Sequence, residues 1–267
     1  MNGIDVSDVK LDPGEEGAIL AYELEKKRLN AGASRYLRAC QKKVKRKKYD
    51  AERTKQDAIL IMQNAVSIRR GNGALYEVDQ WNESQLEALS LYFSGDERFE
   101  AMSPSFSLKK GILLHGNPGC GKTLMMKAFQ NNSYQSYKLY DIAEMADQVI
   151  DESSRAEVTN RLSKVIKGPP NRFGHEKYGI CIDDAGFEVD RKLYGNPVEL
   201  LLAVIRKRYS KNISGRYTHM VTNLTVGELK DRYGERFASR ISEMFNQITF
   251  HPNAPDRRKL FNNQKQN

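Results

Sequence analysis

The stretch HGNPGCGKTL places three glycines, a proline and a lysine directly after a short apolar run. Its spacing fits Gly-x-x-x-x-Gly-Lys-Thr, with the fixed positions at Gly116, Gly121, Lys122 and Thr123. Such a loop turns backbone N–H groups toward phosphate oxygens, which its glycines allow to approach closely. The lysine then reaches the β- and γ-phosphates, and the threonine hydroxyl holds Mg²⁺. The residues predicted to line this nucleotide site are Gly116, Asn117, Pro118, Gly119, Cys120, Gly121, Lys122, Thr123 and Leu124.

A second stretch, YGICIDDAG, ends an apolar run in two carboxylates. A phosphate-loop enzyme needs a carboxylate at the end of a neighbouring strand to hold Mg²⁺, partly through water. Asp183 takes this position opposite Thr123, and Asp184 is the candidate that orients and deprotonates the attacking water. Paired aspartates after a strand also begin turns or cap helices. The phosphate loop about 60 residues upstream favours the catalytic interpretation.

Three further polar positions are candidates for contacts with the terminal phosphate. Asn223 directly follows the predicted strand residues THMVT, and its amide has the reach to contact the γ-phosphate or the attacking water. The alternative is an ordinary helix cap. Arg236 and Arg240, in YGERFASRISEMF, are four residues apart and share one face of a helix. Their late position fits arginines offered to a neighbouring subunit's nucleotide, whereas the alternative is a surface pair bonded to helix acids.

The elements that must position these residues alternate between strands and helices. This order indicates a parallel sheet with helices on both faces. Asn82, three residues before Gln85, has capping-box spacing and is predicted to open a helix that runs through Phe93. The predicted strands are Gly111–Leu114, Tyr137–Tyr140, Tyr178–Ile182 and Tyr217–Thr222, and the predicted helices are Ile142–Ile150, Ala156–Ile166 and Pro197–Tyr209.

Composition bounds the size and setting of the chain. At 267 residues and 39% hydrophobic content there is room for one ATPase-sized domain and a smaller appendage. The net charge of +9 makes an acidic partner plausible. The three cysteines, Cys40, Cys120 and Cys181, form no C-x-x-C pair, which argues against a zinc ribbon and favours a reducing compartment. With no signal peptide and no long apolar run, we expect no membrane association and a cytoplasmic location.

The chain is predicted to divide near residue 75. Residues 15 to about 65 have helical character, and 13 Lys or Arg against two acids fall between Lys26 and Lys55. The densest part is KKVKRKK, from Lys42 to Lys48. We predict that residues 1–75 form a basic, mostly helical region that docks a partner or binds nucleic acid, and that residues 76–267 form the ATPase domain. A solvated basic arm is the alternative.

The order of GNPGCGKT, ICIDDAG, VTNLT and GERFASR resembles the AAA+ ATPases of the DnaC-type helicase loaders and the IstB-like transposition ATPases. The Asp-Asp-x-Gly ending carries the resemblance, which covers roughly residues 80 to 260. It implies a P-loop AAA+ α/β fold, a three-layer sandwich with a parallel sheet and a truncated lid. By position it makes Lys122 and Thr123 Walker A, Asp183 and Asp184 Walker B, and Asn223 sensor 1. It likewise makes Arg240 the arginine finger with Arg236 beside it, and Arg257 or Arg258 sensor 2.

The resemblance further implies ATP and Mg²⁺, an ATP-dependent homo-oligomer, single-stranded DNA and a replicative hexameric helicase as partners. The segment between Lys138 and Lys167 is then expected to bind the DNA strand. An IstB-like ATPase that assembles on duplex DNA and directs a transposase is one alternative. A nucleotide-switched DNA-binding adaptor with negligible hydrolysis is another, because Asp184 stands where most AAA+ proteins carry glutamate.

Overall fold

A computed structural model describes residues 49–70, 76–187, 192–193, 196–197 and 199–258. These residues lie within one compact unit. The basic run from Lys42 to Lys48 and the rest of the chain before residue 49 lie outside the described residues, as do residues 71–75 and 259–267. In the part that is described, no helix combines the length and the apolar character needed to cross a membrane.

A six-stranded sheet forms the centre of the described unit. Five of its strands run parallel in the order β2-β4-β7-β1-β8, and the two-residue β3 pairs antiparallel with the start of β4. The expectation of a parallel sheet is confirmed. The strands are β1 (Gly111–His115), β2 (Tyr137–Asp141), β3 (Ile166–Lys167), β4 (Lys177–Asp183), β7 (Thr218–Thr222) and β8 (Phe245–Thr249), and a separate hairpin contains β5 (Lys192–Leu193) and β6 (Asn196–Pro197).

Helices cover both faces of this sheet, which gives three layers. Neighbouring residues of β1 show the division, since Ile112 and Leu114 pack in one buried cluster while Leu113 packs in the other. The helices described are α1 (Ala51–Arg70), α2 (Glu83–Ser94), α3 (Arg98–Ala101), α4 (Lys122–Ala128), α5 (Ile142–Asp147), α6 (Glu152–Leu162), α7 (Leu200–Ser210), α8 (Val226–Tyr233) and α9 (Glu235–Met244), with a short 3₁₀ helix at Gly215–Tyr217.

Helix α1 belongs to the same hydrophobic core as the phosphate-loop helix α4. Ala51, Ala58 and Met62 are buried in the cluster that also contains Met125 and Phe129 of the α4 region. The sequence boundary near residue 75 therefore separates this helix from a core that it helps to form. Its burial was not evident from sequence because the surrounding chain is strongly basic.

Several elements differ from the sequence expectation. The helix predicted at Ala156–Ile166 is α6 (Glu152–Leu162), and Ile166 lies in β3 because it pairs with β4. The helix predicted at Pro197–Tyr209 begins at Leu200, because Pro197 pairs with Lys192 in the separate hairpin.

Strand β8 was not predicted, yet it pairs with β1 along all five residues from Gly111 to His115. Asn82 was predicted as the capping residue of α2, but its side chain makes no cap hydrogen bond. Its Oδ1 instead accepts the Asp79 N–H at 2.9 Å, and its Nδ2 donates to the Glu77 carbonyl oxygen at 2.9 Å. Asn82 therefore stabilises the turn that leads into the helix.

The buried imidazole of His219, in β7, makes stability depend on pH. Its Nδ1 accepts the Ile112 N–H at 3.1 Å, and its ring packs against Tyr92, Phe93 and Tyr137. Burial lowers the pKa of His219 from 6.5 to about 3, and Arg208 adds to this effect. The folded protein therefore holds the neutral ring, whereas the unfolded chain takes up a proton below pH 6.5.

We expect His219 to lower the free energy of unfolding by about 1.4 kcal/mol for each pH unit between about 6 and 4. Denaturant titrations across this range measure the slope, and His219→Asn provides the comparison because its side-chain oxygen can still accept the Ile112 N–H. The variant should show a slope shallower by that amount. Equal slopes for parent and variant would show that the ring is protonated in the folded state.

Candidate active site

The phosphate loop turns sharply between β1 and α4. Gly116, Gly119 and Gly121 all have positive φ, at 153°, 82° and 107°. A Cβ on Gly116 would lie 2.7 Å from the Cβ of Phe250, and one on Gly119 would overlap the Asp256 carboxylate. Side chains are therefore excluded at both positions by backbone conformation and by close packing. The loop is fixed in a shape that leaves its backbone open to phosphate oxygens.

Lys122 lies in the first turn of α4 and directs its ammonium group into the loop. Its Nζ donates to the carbonyl oxygens of Gly116 at 2.7 Å and Asn117 at 2.8 Å, and to Oδ1 of Asn223 at 2.7 Å. Burial lowers the pKa of Lys122, while Cys120 and the two aspartates act in the opposite direction. A phosphate group would replace neutral acceptors with charged oxygens, which makes stronger hydrogen bonds to the ammonium.

Thr123 and Asp183 meet beside Lys122, as the sequence predicts for a magnesium site. The Thr123 hydroxyl donates to Oδ1 of Asp183 at 3.0 Å, and the same oxygen accepts the Asp184 N–H at 3.2 Å. Burial raises the pKa of Asp183 and the neighbouring Asp184 carboxylate adds to this effect, while the Thr123 hydroxyl and Lys127 act in the opposite direction. A hydroxyl and a carboxylate are oxygen donors of the kind Mg²⁺ takes, and the pair fits that ion. When bound, Mg²⁺ neutralises charge on the β- and γ-phosphates.

Asp184 occupies a strained turn directly after β4. Its φ is 49°, in the left-handed region that aspartate tolerates better than most residues. The backbone is held there because its N–H bonds to Asp183 and its carbonyl oxygen accepts the Phe187 N–H at 3.1 Å. The Asp184 carboxylate is only partly buried and raises the pKa of Lys122. A partly exposed carboxylate beside the phosphate loop is positioned to accept a proton from water.

The strand order explains why Asn223 reaches the same place. It follows β7, and β7 lies between β1, which leads into the phosphate loop, and β4, which carries Asp183. The alternative role as a helix cap is filled by another residue. Thr225 caps α8, since its Oγ1 accepts the Glu228 N–H at 3.2 Å and its own N–H bonds to the Glu228 carboxylate at 2.7 Å.

Arg236 and Arg240 lie on α9, away from this group of contacts. The Arg240 guanidinium lies over the ring of Tyr209, 5.3 Å from its centroid, and Arg236 is exposed. Among the described residues, neither arginine forms a hydrogen bond or ion pair with the phosphate loop or with a helix acid. The structure thus brings together Lys122, Thr123, Asp183, Asp184 and Asn223 and leaves the two arginines outside.

The segment from Phe250 to Arg258 closes over the phosphate loop. Its backbone accepts a hydrogen bond from Asn117 Nδ2 at the Pro252 carbonyl, at 2.5 Å, and donates one from the Arg257 N–H to the Gly119 carbonyl, at 3.0 Å. The Arg257 side chain bonds both carboxylate oxygens of Asp79, at 2.9 and 2.8 Å. Arg258 is 71% exposed, so of the two sensor 2 candidates it is Arg257 that lies at the loop.

Sequence reasoning missed the other residues of this closure. Asp79 precedes α2 and carries no motif that links it to the site. Phe250 and Asp256 pack against the loop glycines, and the arginine-containing stretch APDRRK was the only signal nearby. Their roles depend on contacts between chain segments more than a hundred residues apart, which local spacing does not reveal.

Comparisons with known proteins add a match to a family model and several similar solved structures. Residues 112–171 match the model of the ATPase family associated with various cellular activities (AAA). A sequence search of curated proteins finds no match. Among solved structures, the chain is similar to AMPPCP-bound DnaA from Aquifex aeolicus, at 15% identity and a TM-score of 0.46, covering 72% of this chain and 53% of that one. The alignment therefore spans about half of the DnaA chain.

Two further solved structures are similar over most of their own length. DnaI is 19% identical with a TM-score of 0.43, and 68% of this chain and 88% of that chain are covered. The DnaC helicase loader is 17% identical with a TM-score of 0.43, and 68% of this chain and 97% of that chain are covered.

The segment matched by the family model contains the phosphate loop, and the sheet places Asp183 and Asn223 beside that loop. Together the match over residues 112–171, the parallel sheet and the contacts of Lys122 and Thr123 show a P-loop α/β fold whose phosphate loop lies in a segment similar to the AAA ATPases.

Proposed function

We propose that this protein is an ATP-hydrolysing helicase loader of the DnaC type, an adaptor that binds single-stranded DNA and delivers a replicative ring helicase. The observation that carries the proposal is the meeting of Lys122, Asn223 and the Asp183–Asp184 turn at one edge of the sheet. The turn has the Asp-Asp-x-Gly sequence that resembles these loaders, and GERFASR follows it in the loader order.

In the proposed reaction Lys122 binds the β- and γ-phosphates of ATP, and Thr123 and Asp183 are the residues that would hold Mg²⁺. The Asp184 carboxylate orients a water molecule and accepts its proton as the water oxygen attacks the γ-phosphorus. The bond from that phosphorus to the β,γ-bridging oxygen breaks, giving ADP and phosphate. Asn223 donates its amide N–H groups to the γ-phosphate, and Arg240 is supplied by a neighbouring subunit of an ATP-dependent oligomer.

The proposed partners follow from charge and from the resemblance. The chain has a net charge of +9, and its densest basic run precedes the described unit. Single-stranded DNA is a polyanion that such charge attracts. Docking of a replicative helicase is assigned to the region before α1. An IstB-like role with a transposase shares the same ATPase motifs, so the partner must be tested directly.

We expect Asp184→Asn to bind ATP with the affinity of the parent but to hydrolyse it at least about 100-fold more slowly, because the amide cannot accept the proton. If ATP hydrolysis triggers release of the helicase, the variant should then stay bound to the helicase. The full-length chain is mixed with a replicative ring helicase and single-stranded DNA in ATP, and co-sedimentation is measured over time. The parent should release the helicase, whereas Asp184→Asn should retain it.

Asp147→Asn is the matched control, since this exposed aspartate ends α5 outside the site. This control variant should hydrolyse ATP and release the helicase at the rates of the parent. Equal turnover by Asp184→Asn and the parent would remove Asp184 from catalysis, and negligible turnover by the parent would favour a nucleotide-switched adaptor. ATP-dependent assembly on duplex DNA, with no helicase retained by any variant, would favour the IstB-like role.

A further inference from the structure

The edge of the sheet opposite the nucleotide site is strongly basic. Parallel strands begin on one edge, and three of the chain segments that lie there are basic: 105–110 before β1, 160–179 around β3 and the start of β4, and 206–219 before β7. These segments contain two, five and five Lys or Arg residues and a single acidic residue, Glu176. The end of α9, before β8, adds Glu243, which accepts a hydrogen bond from the Tyr209 hydroxyl at 2.9 Å. The seven residues of β4, at about 3.3 Å each, separate this edge from Asp183 by about 20 Å.

We name the exposed lysines of this edge the amino-edge surface: Lys109, Lys164, Lys167, Lys177 and Lys211. Hydrogen bonds connect the segments that carry them. The Arg216 N–H donates to the Lys109 carbonyl at 3.0 Å, and Lys211 Nζ donates to the Ser163 carbonyl at 3.4 Å. The surface is therefore continuous across the sheet edge.

Two lysines of this surface form a pair of like charges. Lys167 of β3 is directly opposite Lys177 of β4 in the antiparallel register, and both side chains are exposed. Like charges in such positions destabilise a sheet. In the ranges that the structure describes, no carboxylate forms an ion pair with either lysine. By contrast, Lys55 pairs with Glu87 at 2.8 Å and Lys230 pairs with Glu235 at 2.7 Å.

A buried arginine holds this surface in place. Arg208 donates to the carbonyl oxygens of Leu162 at 2.8 Å, Lys164 at 3.0 Å and Tyr217 at 2.6 Å, and to the Thr218 hydroxyl at 2.8 Å. Burial lowers the pKa of Arg208 to about 10, so it remains charged at neutral pH. The backbone that presents the exposed lysines is thus fixed to the core.

We propose that the amino-edge surface binds the phosphodiester backbone of nucleic acid, with Lys167 and Lys177 as its central contacts. The choice of nucleic acid as the ligand rests on the proposed function. The binding surface is inferred independently, from exposed lysines that form no ion pair among the described residues. Lysine ammonium groups contact phosphates as point charges without reading bases. Apart from Tyr209, the described residues of these segments expose no large hydrophobic side chain that would insert into a lipid surface. Because lysine contacts to phosphates do not read bases, we expect this binding to be independent of base sequence.

The test compares two double variants of the full-length chain that lose the same charge. Lys167→Gln with Lys177→Gln removes the unpaired lysines, and Lys55→Gln with Lys230→Gln removes two lysines that already have carboxylate partners. Binding of a single-stranded oligothymidylate is measured in ATP at several salt concentrations. Melting temperature, sedimentation and ATP hydrolysis without DNA are measured alongside.

The salt slope is the slope of the logarithm of the binding constant against the logarithm of the salt concentration. Each phosphate contact contributes about 0.7 to its magnitude for a single strand. We expect the first double variant to have a slope shallower by about 1.4 and an affinity lower by on the order of tenfold at 0.1 M salt. Its melting temperature should equal or exceed that of the parent, because a repulsion has been removed. The second double variant should keep the parent slope.

An unchanged slope in the first double variant, or an equal change in both variants, would overturn the proposal. Loss of assembly together with loss of binding would overturn it as well, because the surface would then be a subunit interface. Failure of the parent to bind the oligonucleotide would also overturn it. ATP hydrolysis separates this proposal from the proposed function, since absent turnover with the expected slope change would reject the enzyme and retain the surface.

Discussion

Lys122→Ala is expected to weaken ATP binding by about 100-fold or more while leaving the fold intact. The Lys122 ammonium is the cation that the structure directs into the phosphate loop, and it would make hydrogen bonds to charged oxygens of both phosphates. Such bonds contribute about 1.5–3 kcal/mol each, and 1.4 kcal/mol corresponds to a factor of ten in affinity. The measurement is the affinity for ATP by calorimetry, with circular dichroism to check the fold.

Lys127→Ala is the matched control for this variant. Lys127 lies in the last turn of the same helix, α4, but its side chain is exposed. It should bind ATP within a few-fold of the parent. Parental affinity in Lys122→Ala would contradict the phosphate-loop assignment, and equal losses in both variants would point to a general effect of charge.

The second large effect is a loss of ATP turnover, which is expected when Arg240 is replaced by alanine. An arginine that completes a neighbour's site stabilises charge on the γ-phosphoryl group during transfer, an effect of about 10³–10⁵ in the rate of GTPases. Arg240 lies over Tyr209, and within the described residues it makes no hydrogen bond or ion pair with its own phosphate loop. Arg240→Ala should therefore bind ATP normally and lose turnover in the assembled protein.

Mixing Arg240→Ala with Lys122→Ala tests whether the arginine acts between subunits. Each defective chain supplies what the other lacks, so an interface that joins an intact loop to an intact arginine should recover part of the activity. Sedimentation must first show that the two variants assemble together. No recovery in a mixed oligomer would exclude Arg240 from this role, and the same experiment with Arg236→Ala would then test the neighbouring candidate.

Much of the candidate site was predictable because its residues sit at fixed places within local elements. The spacing from Gly116 to Thr123 defines a turn followed by a helix, and that local pattern places Lys122 and Thr123 at the start of α4. Asp183 and Asn223 each follow an apolar strand. Since parallel strands end at the same sheet edge, their approach to the loop followed from the alternation of strands and helices.

Contacts between distant segments were not predictable in the same way. Asn82 has the spacing of a helix cap, yet its amide stabilises the turn at Asp79, and Asp79 in turn pairs with Arg257. Nothing in the local sequence at any of these residues indicates the other partner. Strand β8 was missed because Phe245–Thr249 continues directly from α9, and only its pairing with β1 makes it a strand.

The sequence by itself therefore determined the phosphate loop, the carboxylates and the alternating elements, since these depend on residue types within a few positions of one another. The tertiary structure decided which segment closes over the loop, where Arg240 lies and which lysines face each other across β3 and β4. These features arise when segments far apart in the chain are packed into one core, because burial and strand register, rather than local propensity, set the final neighbours of each side chain.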